Sequence, residues 1–534
     1  MNEEIIKPTY TKKPDFPEQA IHKTIVKHKT NMKPYSLFIL LFFLISCNQE
    51  KKVKTHDASN FYSSNTNRVA AEWEPAKGVM FACPPIIPKE LIIELAKDTH
   101  IYPIVDGEKE KAIAMEWFSK WEIDSTRITF IDLKMDSDIP YVRDWGPAAV
   151  FLKDGGYKLV DADFVNSDPF TDRACNDSLE LHISKKTGMN YHSKNADSSI
   201  VPLANQLGSE VFKVPFTSTG GNVLTDGIGT AFSTCILLTE NRFNGVSDEQ
   251  FYSLNDSLLG YNNYHVTSNF ESDGIQHIDC FLKIIDEQTL LVAQPPLDHE
   301  LHDVYENIVD NELSKLKNPY GHAYTIKRIR LGRVIEEYLT AYTNSLILNK
   351  NVYVPLYGVG SDSLAIETWK SVMPGYTIKG LRFAIDEQPY LASSLFESFK
   401  EDGVNTGWGP DDALHCRTRA VWDSEAVFIS VNQVVTELAL TDEAIVYATI
   451  RDYSDQGIED QGIKIHWRIK GNQLWNTDTM FSNNSKHHWY SMIPAQEKNT
   501  AIEYYVEITS KDGKSITRPM TAPKGSYEFK YVSQ

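Results

Sequence analysis

Apolar and polar positions follow two different rhythms along this chain. From about Arg68 to Ser424, short apolar runs alternate with stretches of helix-like spacing, and Glu90–Lys97 and Glu300–Leu316 are predicted helices. Beyond about Val427 the rhythm is that of short strands. Ile463–Ile469 alternates apolar and polar side chains as a half-buried strand does, and Thr449-Ile450 and Tyr504–Ile508 repeat the pattern. Turn residues separate these runs at Ser454–Gly457, Lys470–Asn472 and Lys511–Gly513. Residues 426–534 are therefore predicted to form an all-β immunoglobulin-like sandwich, an accessory module in which no catalytic constellation stands out. Residues 68–425 form the α/β part.

Within the α/β part, five segments share one design, in which a polar, reactive-looking group is followed at once by an apolar run. They are Tyr141–Phe151, Ser218–Leu224, Gln276–Ile284, Ala341–Leu348 and Asp412–Arg417. Quasi-regular recurrence predicts repeated supersecondary units whose polar groups converge on one site; chance placement of polar residues beside strands is the alternative.

Near the start, Tyr35–Ser46 is an uninterrupted, mostly apolar run preceded by Lys33. It falls short of the ~20 residues a bilayer span needs, but suits the apolar region of a secretory signal. It ends in Leu44-Ile45-Ser46-Cys47, which resembles a bacterial lipobox and implies lipidation of Cys47 and export as a lipoprotein. An uncleaved anchor or a buried strand is the other reading. The basic stretch Met1–Asn31 is long for the region before a signal, so Met32 is an alternative start. Residues 1–47 are read as extension and signal, and the polar residues 48–67 as a tether.

Acidic residues exceed basic ones, 72 against 53, for a formal charge of −19. That argues against nucleic acid, which needs a basic surface, and is compatible with a cationic substrate. The six cysteines include no CxxC pair, so neither a zinc site nor a dense disulfide framework is indicated. No EF-hand pattern supports a calcium requirement, no phosphate loop follows the Gly220-Gly221 pair, and no cofactor is called for.

Candidate chemistry lies in the five segments. Cys416 sits among His415, Arg417 and Arg419, cations that favour a thiolate, although a buried structural thiol is the common fate of a free cysteine. His277 and Asp279 would share one face of a strand and suit acid–base catalysis, a metal site or a solvent-facing pair. Asp144 beside Trp145 can clamp a cation or cap a turn, with Tyr141 and Arg143 adjacent. Gly220-Gly221 can bring backbone close to a ligand, and Asn222 and Asn344 are amides that can bind substrate or simply be buried and satisfied.

Taken together, the motifs Ser218–Asn222 (STGGN), His277–Cys280 (HIDC), Tyr342–Asn349 (YTNSLILN), Pro374–Tyr376 (PGY) and Ala413–Thr418 (ALHCRT), with the opening Glu72–Pro75 (EWEP), resemble the Porphyromonas-type peptidylarginine deiminase family, which includes agmatine deiminases. The resemblance runs from about Arg68 to Ala420 in family order. It implies a pentein α/β-propeller of five ββαβ units, followed here by the immunoglobulin-like domain, and a calcium-independent hydrolase without metal or cofactor. Asp144 and Asp279 would bind the guanidinium, Cys416 would attack its carbon, and His277 would act as acid and then base. Asn222, Asn344, Arg143, Tyr141 and Trp145 would position the substrate. The partners implied are arginine-containing peptides or a small guanidino compound, with contact to a membrane only through a lipid anchor.

Two departures bear on the substrate. In the peptidylarginine branch, arginines after the first β segment bind the carboxylate of a C-terminal arginine. Asp163–Arg173 lacks such a pair, and Asp168 would repel a carboxylate. Gly274, three residues before His277, offers no aromatic cover. Agmatine or an internal arginine therefore stand as alternatives. A cysteine protease built on Cys416, His277 and Asn344, and a non-catalytic surface binder, are readings from other classes.

Overall fold

The computed structural model describes residues 66–83, 87–134, 141–164, 198–270, 276–334, 338–382, 412–434, 436–440, 443–483 and 487–532. The apolar run 35–46, Cys47, Asp168 and Gly274 lie outside the described residues. No helix among the described residues is long and apolar enough to cross a membrane.

Five small sheets make up the α/β part, and one pairing rule governs all of them. Two antiparallel strands come first, and a third lies parallel to the second after a helical connection. Ala149–Phe151, Tyr157–Asp163 and Glu210–Thr217 follow it, as do Leu224-Thr225, Thr230–Thr234 and Asn263–Thr267. Leu282–Asp286, Thr289–Gln294 and Thr325–Arg330 form the next sheet, and Leu346–Leu348, Asn351–Leu356 and Thr377–Arg382 another. In the last, Arg419–Trp422 pairs antiparallel with Ala76–Ala82, which pairs parallel with His100–Val105. This sheet joins the two ends of the region.

Side-chain patterns explain the elements. Strands such as Thr289–Gln294 carry near-continuous buried apolar runs, as strands covered on both faces must. The helix Lys89–Asp98 buries Leu91, Ile92, Leu95 and Ala96 on one stripe, with Glu90 in its first turn and Lys97 in its last, where each suits the helix dipole. Where Glu300–Leu316 was expected as one helix, the chain forms His302–Asn311 and then a separate short turn, Leu313–Lys315.

The C-terminal region is β-rich. One sheet holds Val427–Asn432, Ala444–Asp452, His488–Ile493 and Phe481-Ser482; the other is centred on Ala501–Ser510, Ile458–Ile469 and Tyr527–Val532. Alternate residues of both sheets, among them Ile429, Val431, Val446, Ile463, Ile465, Val506 and Phe529, share one core. The alternation seen in Ile463–Ile469 is thus the inner face of a longer strand.

This region is fastened to the α/β part through buried polar groups. The Arg68 guanidinium donates to both oxygens of Glu74 at 2.7 and 2.9 Å and to the Tyr453 hydroxyl at 3.1 Å. It also lies 3.8 Å from the ring centre of Phe428 and 4.3 Å from that of Phe151. Arg518 Nε stands 3.4 Å from the buried Glu287.

Candidate active site

Each first strand of the five sheets is entered through a tight turn, and these turns carry the reactive groups. They are the helical turns Val142–Trp145 and Ile278–Phe281, the short turn Gly220–Asn222, the turn at Tyr342–Asn344, and the turn Leu414–Arg417. The expectation that His277 and Asp279 lie on a strand is corrected here: Ile278–Phe281 is helical and the strand begins at Leu282. A helical turn separates the two side chains, so each finds its own partner.

The turns are stitched to one another. The Arg143 N–H donates to Cys416 O at 3.1 Å, and the His415 N–H to Asn344 O at 3.0 Å. Asn344 Oδ1 accepts from the backbone N–H groups of Ala413, His415 and Cys416 at 3.1, 2.9 and 3.2 Å. Three donors on one side of the amide fix its orientation, which aims Nδ2 at Cys416 Sγ, 3.1 Å away. Asn222 Oδ1 likewise accepts from Thr234 N and Ile278 N, both at 3.0 Å. The two asparagines thus act first as staples between turns.

Cys416 is fully buried, and its thiol lies 3.6 Å from Asp279 Oδ2. A hydrogen bond with Cys280 favours its thiolate, but burial and the carboxylates of Asp279, Asp144 and Asp412 outweigh it and push the thiol up to about 12. His277 Nδ1 stands 3.5 Å from Asp144 Oδ1, an ion-pair distance. Burial works against its charge, yet Asp144 and Asp279 override it and raise the imidazole to about 9. Burial would also raise Asp279, but the hydrogen bond from His415 and the His277 charge hold it below the usual carboxylate range. At neutral pH the pocket therefore presents a thiol, an imidazolium and ionised Asp279.

Glycine is required where these groups meet. A Cβ on Gly221 would lie 2.5 Å from Asp144 Oδ1 and 2.8 Å from His277 Nδ1, and one on Gly220 would lie 2.1 Å from Arg143 O. The bare backbone lets the Gly221 N–H reach Asp144 Oδ1 at 3.2 Å.

A family model described as Porphyromonas-type peptidyl-arginine deiminase matches residues 68–385. The chain belongs to this family. Members of this deiminase family hydrolyse guanidino groups. Among this family member's relatives, a protein of Mycoplasma mycoides subsp. mycoides provisionally named agmatine deiminase is 25% identical over 278 residues, spanning 46% of this chain and 70% of its own. One of the same provisional name from Shewanella baltica is 27% identical over 277 residues, spanning 47% and 70%. A crystal structure provisionally described as a peptidyl-arginine deiminase superposes with a TM-score of 0.50 at 17% identity, covering 67% of this chain and 99% of that one. An X-ray structure provisionally described as an agmatine deiminase gives 0.50 at 18%, covering 67% and 96%. Such identities speak for the mixed α/β fold alone. Cys416 lies beyond the matched residues, so its place in this deiminase rests on the geometry above.

Other residues complete the candidate pocket. Arg143 is engaged with the Cys416 turn, its Nε donating to His415 O at 3.1 Å. Tyr141 is half-buried at the head of its turn, and Trp145 is buried with no partner for its indole N–H among the described residues. The sequence pattern did not single out His415, Glu72, Lys283 or Cys280 as site residues. His415 Nδ1 lies 2.7 Å from Asp279 Oδ2, and its Nε2 lies 3.2 Å from Glu72 Oε2. Glu72, in the opening EWEP, is held in turn by Lys283 Nζ at 2.8 Å and by the Ile347 N–H at 2.9 Å. Asp279, Cys280 and Cys416 bring a carboxylate oxygen and two sulfurs within 4.8 Å of one another.

Proposed function

We propose that this protein is an exported deiminase that converts the guanidinium of arginine in peptides to a ureido group, giving citrulline and ammonia. The observation carrying this reading is the meeting of Cys416 with Asp144, His277 and Asp279, each supplied by the turn before a first strand. We read the five sheets as the blades of a pentein propeller and the two C-terminal sheets as an immunoglobulin-like sandwich. Residues 1–47 are read as extension and signal, with Cys47 the lipidated residue. The disulfide at Cys235 is in keeping with an oxidising compartment.

The chemistry follows from the charges. A planar cation enters between Asp144 and Asp279, each of which can accept charge-assisted hydrogen bonds from it. Its charge offsets the carboxylates that hold the Cys416 proton, so the thiol loses that proton to water. Sulfur attacks the guanidino carbon to form a C–S bond. His277, protonated beforehand, gives its proton to the departing nitrogen and ammonia leaves, with an S-alkylthiouronium on Cys416. The imidazole, now neutral, takes a proton from water, which attacks the same carbon. The C–S bond breaks as the new hydroxyl gives its proton to the sulfur, which frees the ureido product and restores the Cys416 thiol.

A small guanidino compound such as agmatine is the second reading, favoured by the names of the relatives. The deciding experiment measures ammonia and ureido product from peptides with internal and C-terminal arginine, free arginine and agmatine, with and without calcium. Turnover of arginine peptides is expected. Turnover of agmatine alone would overturn the peptide reading, and turnover of none would overturn the deimination chemistry for this chain.

A further inference from the structure

Cys280 makes and breaks no bond to the substrate in the chemistry above, yet its thiol is built into the same pocket. Asn344 Nδ2 lies 3.4 Å from Cys280 Sγ and 3.1 Å from Cys416 Sγ, so one amide serves both sulfurs. Asp279 is shared in the same way: Cys280 Sγ lies 3.7 Å from Oδ1 and Cys416 Sγ 3.6 Å from Oδ2. All four residues are buried.

From this arrangement we infer that Asp279, Cys280 and Cys416 form a binding site for a thiophilic divalent cation of the Zn2+ class. Zn2+ holds sulfur at about 2.3 Å and carboxylate oxygen at about 2.1 Å in a tetrahedron, which puts its ligands roughly 3.5 Å apart. Atoms already within 4.8 Å of one another reach that spacing by small side-chain adjustments. The surroundings suit a metal as well. His415 Nδ1 at 2.7 Å orients the Asp279 carboxylate, as the partners of metal-bound carboxylates do, and the Asn344 amide remains a donor to both sulfurs. Two thiolates select zinc and its soft neighbours over calcium and magnesium. Each thiol gives up its proton to solvent on binding, so two protons are released per metal. The metal takes the sulfur that attacks and the carboxylate that clamps the cation, so metal and guanidinium exclude each other. Only this inhibitory consequence rests on the proposed function.

Cobalt(II) added to the full chain tests the site without any substrate. One equivalent is expected to give the near-ultraviolet thiolate-to-cobalt absorption of a tetrahedral thiolate site, and Zn2+ is expected to abolish it. Cys280→Ser and Cys280→Ala, checked for unchanged circular dichroism, are expected to weaken Zn2+ binding at least tenfold, and Cys416→Ser to do the same. Inhibition of the wild type by Zn2+ is expected to be relieved by rising substrate. Absence of the thiolate absorption in the wild type, or Zn2+ affinity unchanged in both Cys280 variants, would overturn the inference even if deimination proceeds. A cobalt–thiolate site in a protein that turns over no guanidino substrate would leave the metal site standing and remove the proposed function.

Discussion

Asn344 grips Cys416 from two sides, accepting its backbone N–H through Oδ1 at 3.2 Å and aiming Nδ2 at its sulfur from 3.1 Å. One side chain thus sets both the path of the turn and the surroundings of the thiol. Asn344→Ala would strand the buried N–H groups of Ala413 and Cys416, leave the His415 N–H only its bond to Asn344 O, and remove a donor to the sulfur. We expect kcat to fall about 10²-fold, the usual cost of losing one preorganised donor. The midpoint of urea unfolding is expected to fall as well. Unchanged kcat would show that the amide has no influence on the nucleophile.

His415 is expected to act through Asp279. His415→Gln keeps a polar group near the carboxylate, whereas His415→Phe removes its orientation. The first is expected to raise KM modestly, and the second to raise KM about tenfold or more, in line with the loss of a partner that orients a ligand-binding carboxylate. Steady-state kinetics on the two variants separates them; equal KM values would deny the orienting role.

The pH profile follows from His277. Its imidazole, raised to about 9 by Asp144 and Asp279, must be protonated for ammonia to leave. The rate is therefore expected to decline as pH rises through about 9. Because Asp279 is held below the usual carboxylate range, its protonation is expected to limit the rate only at pH below that range. The raised imidazole also contributes to folding. That contribution is whole below the unfolded histidine value of about 6.5 and is lost as pH rises through about 9. His277→Ala is expected to flatten both the kinetic limb and the alkaline loss of stability, read from rate and unfolding measurements over pH 6–10.

Much of the site was legible because each functional turn is local. A polar group immediately before a short apolar strand recurs five times, and both Gly220-Gly221 and Cys416 stand within such segments. Folding brings together what lies far apart in sequence: Glu72 reaches His415, and Lys283 reaches Glu72. No spacing rule announces those pairs, because the fold and not the local chain creates them. The strand assignment for His277 and Asp279 failed for a different reason. Four residues of helix, Ile278–Phe281, are too short to leave a period of their own, and the apolar run after them reads as a strand from the start.

The fastening of the C-terminal region rests on Arg68. Arg68→Ala would leave Glu74 buried without its cation, a loss of about 3–5 kcal/mol for pairs of this kind. Differential scanning calorimetry is expected to show a lower transition temperature, whereas Tyr453→Phe, which removes one hydroxyl, should cost about 1 kcal/mol. A calorimetric trace unchanged by Arg68→Ala would refute the fastening.

The central claim is that Cys416 forms a covalent bond to the guanidino carbon. Intact-protein mass spectrometry of the full chain, quenched in acid during turnover of an arginine peptide, tests it, because acid protonates His277 and stops the attack of water that resolves the S-alkylthiouronium. An adduct of peptide mass less ammonia, mapped to Cys416 and absent from Cys416→Ala, is the predicted result. Citrulline production by Cys416→Ala at the wild-type rate would contradict it.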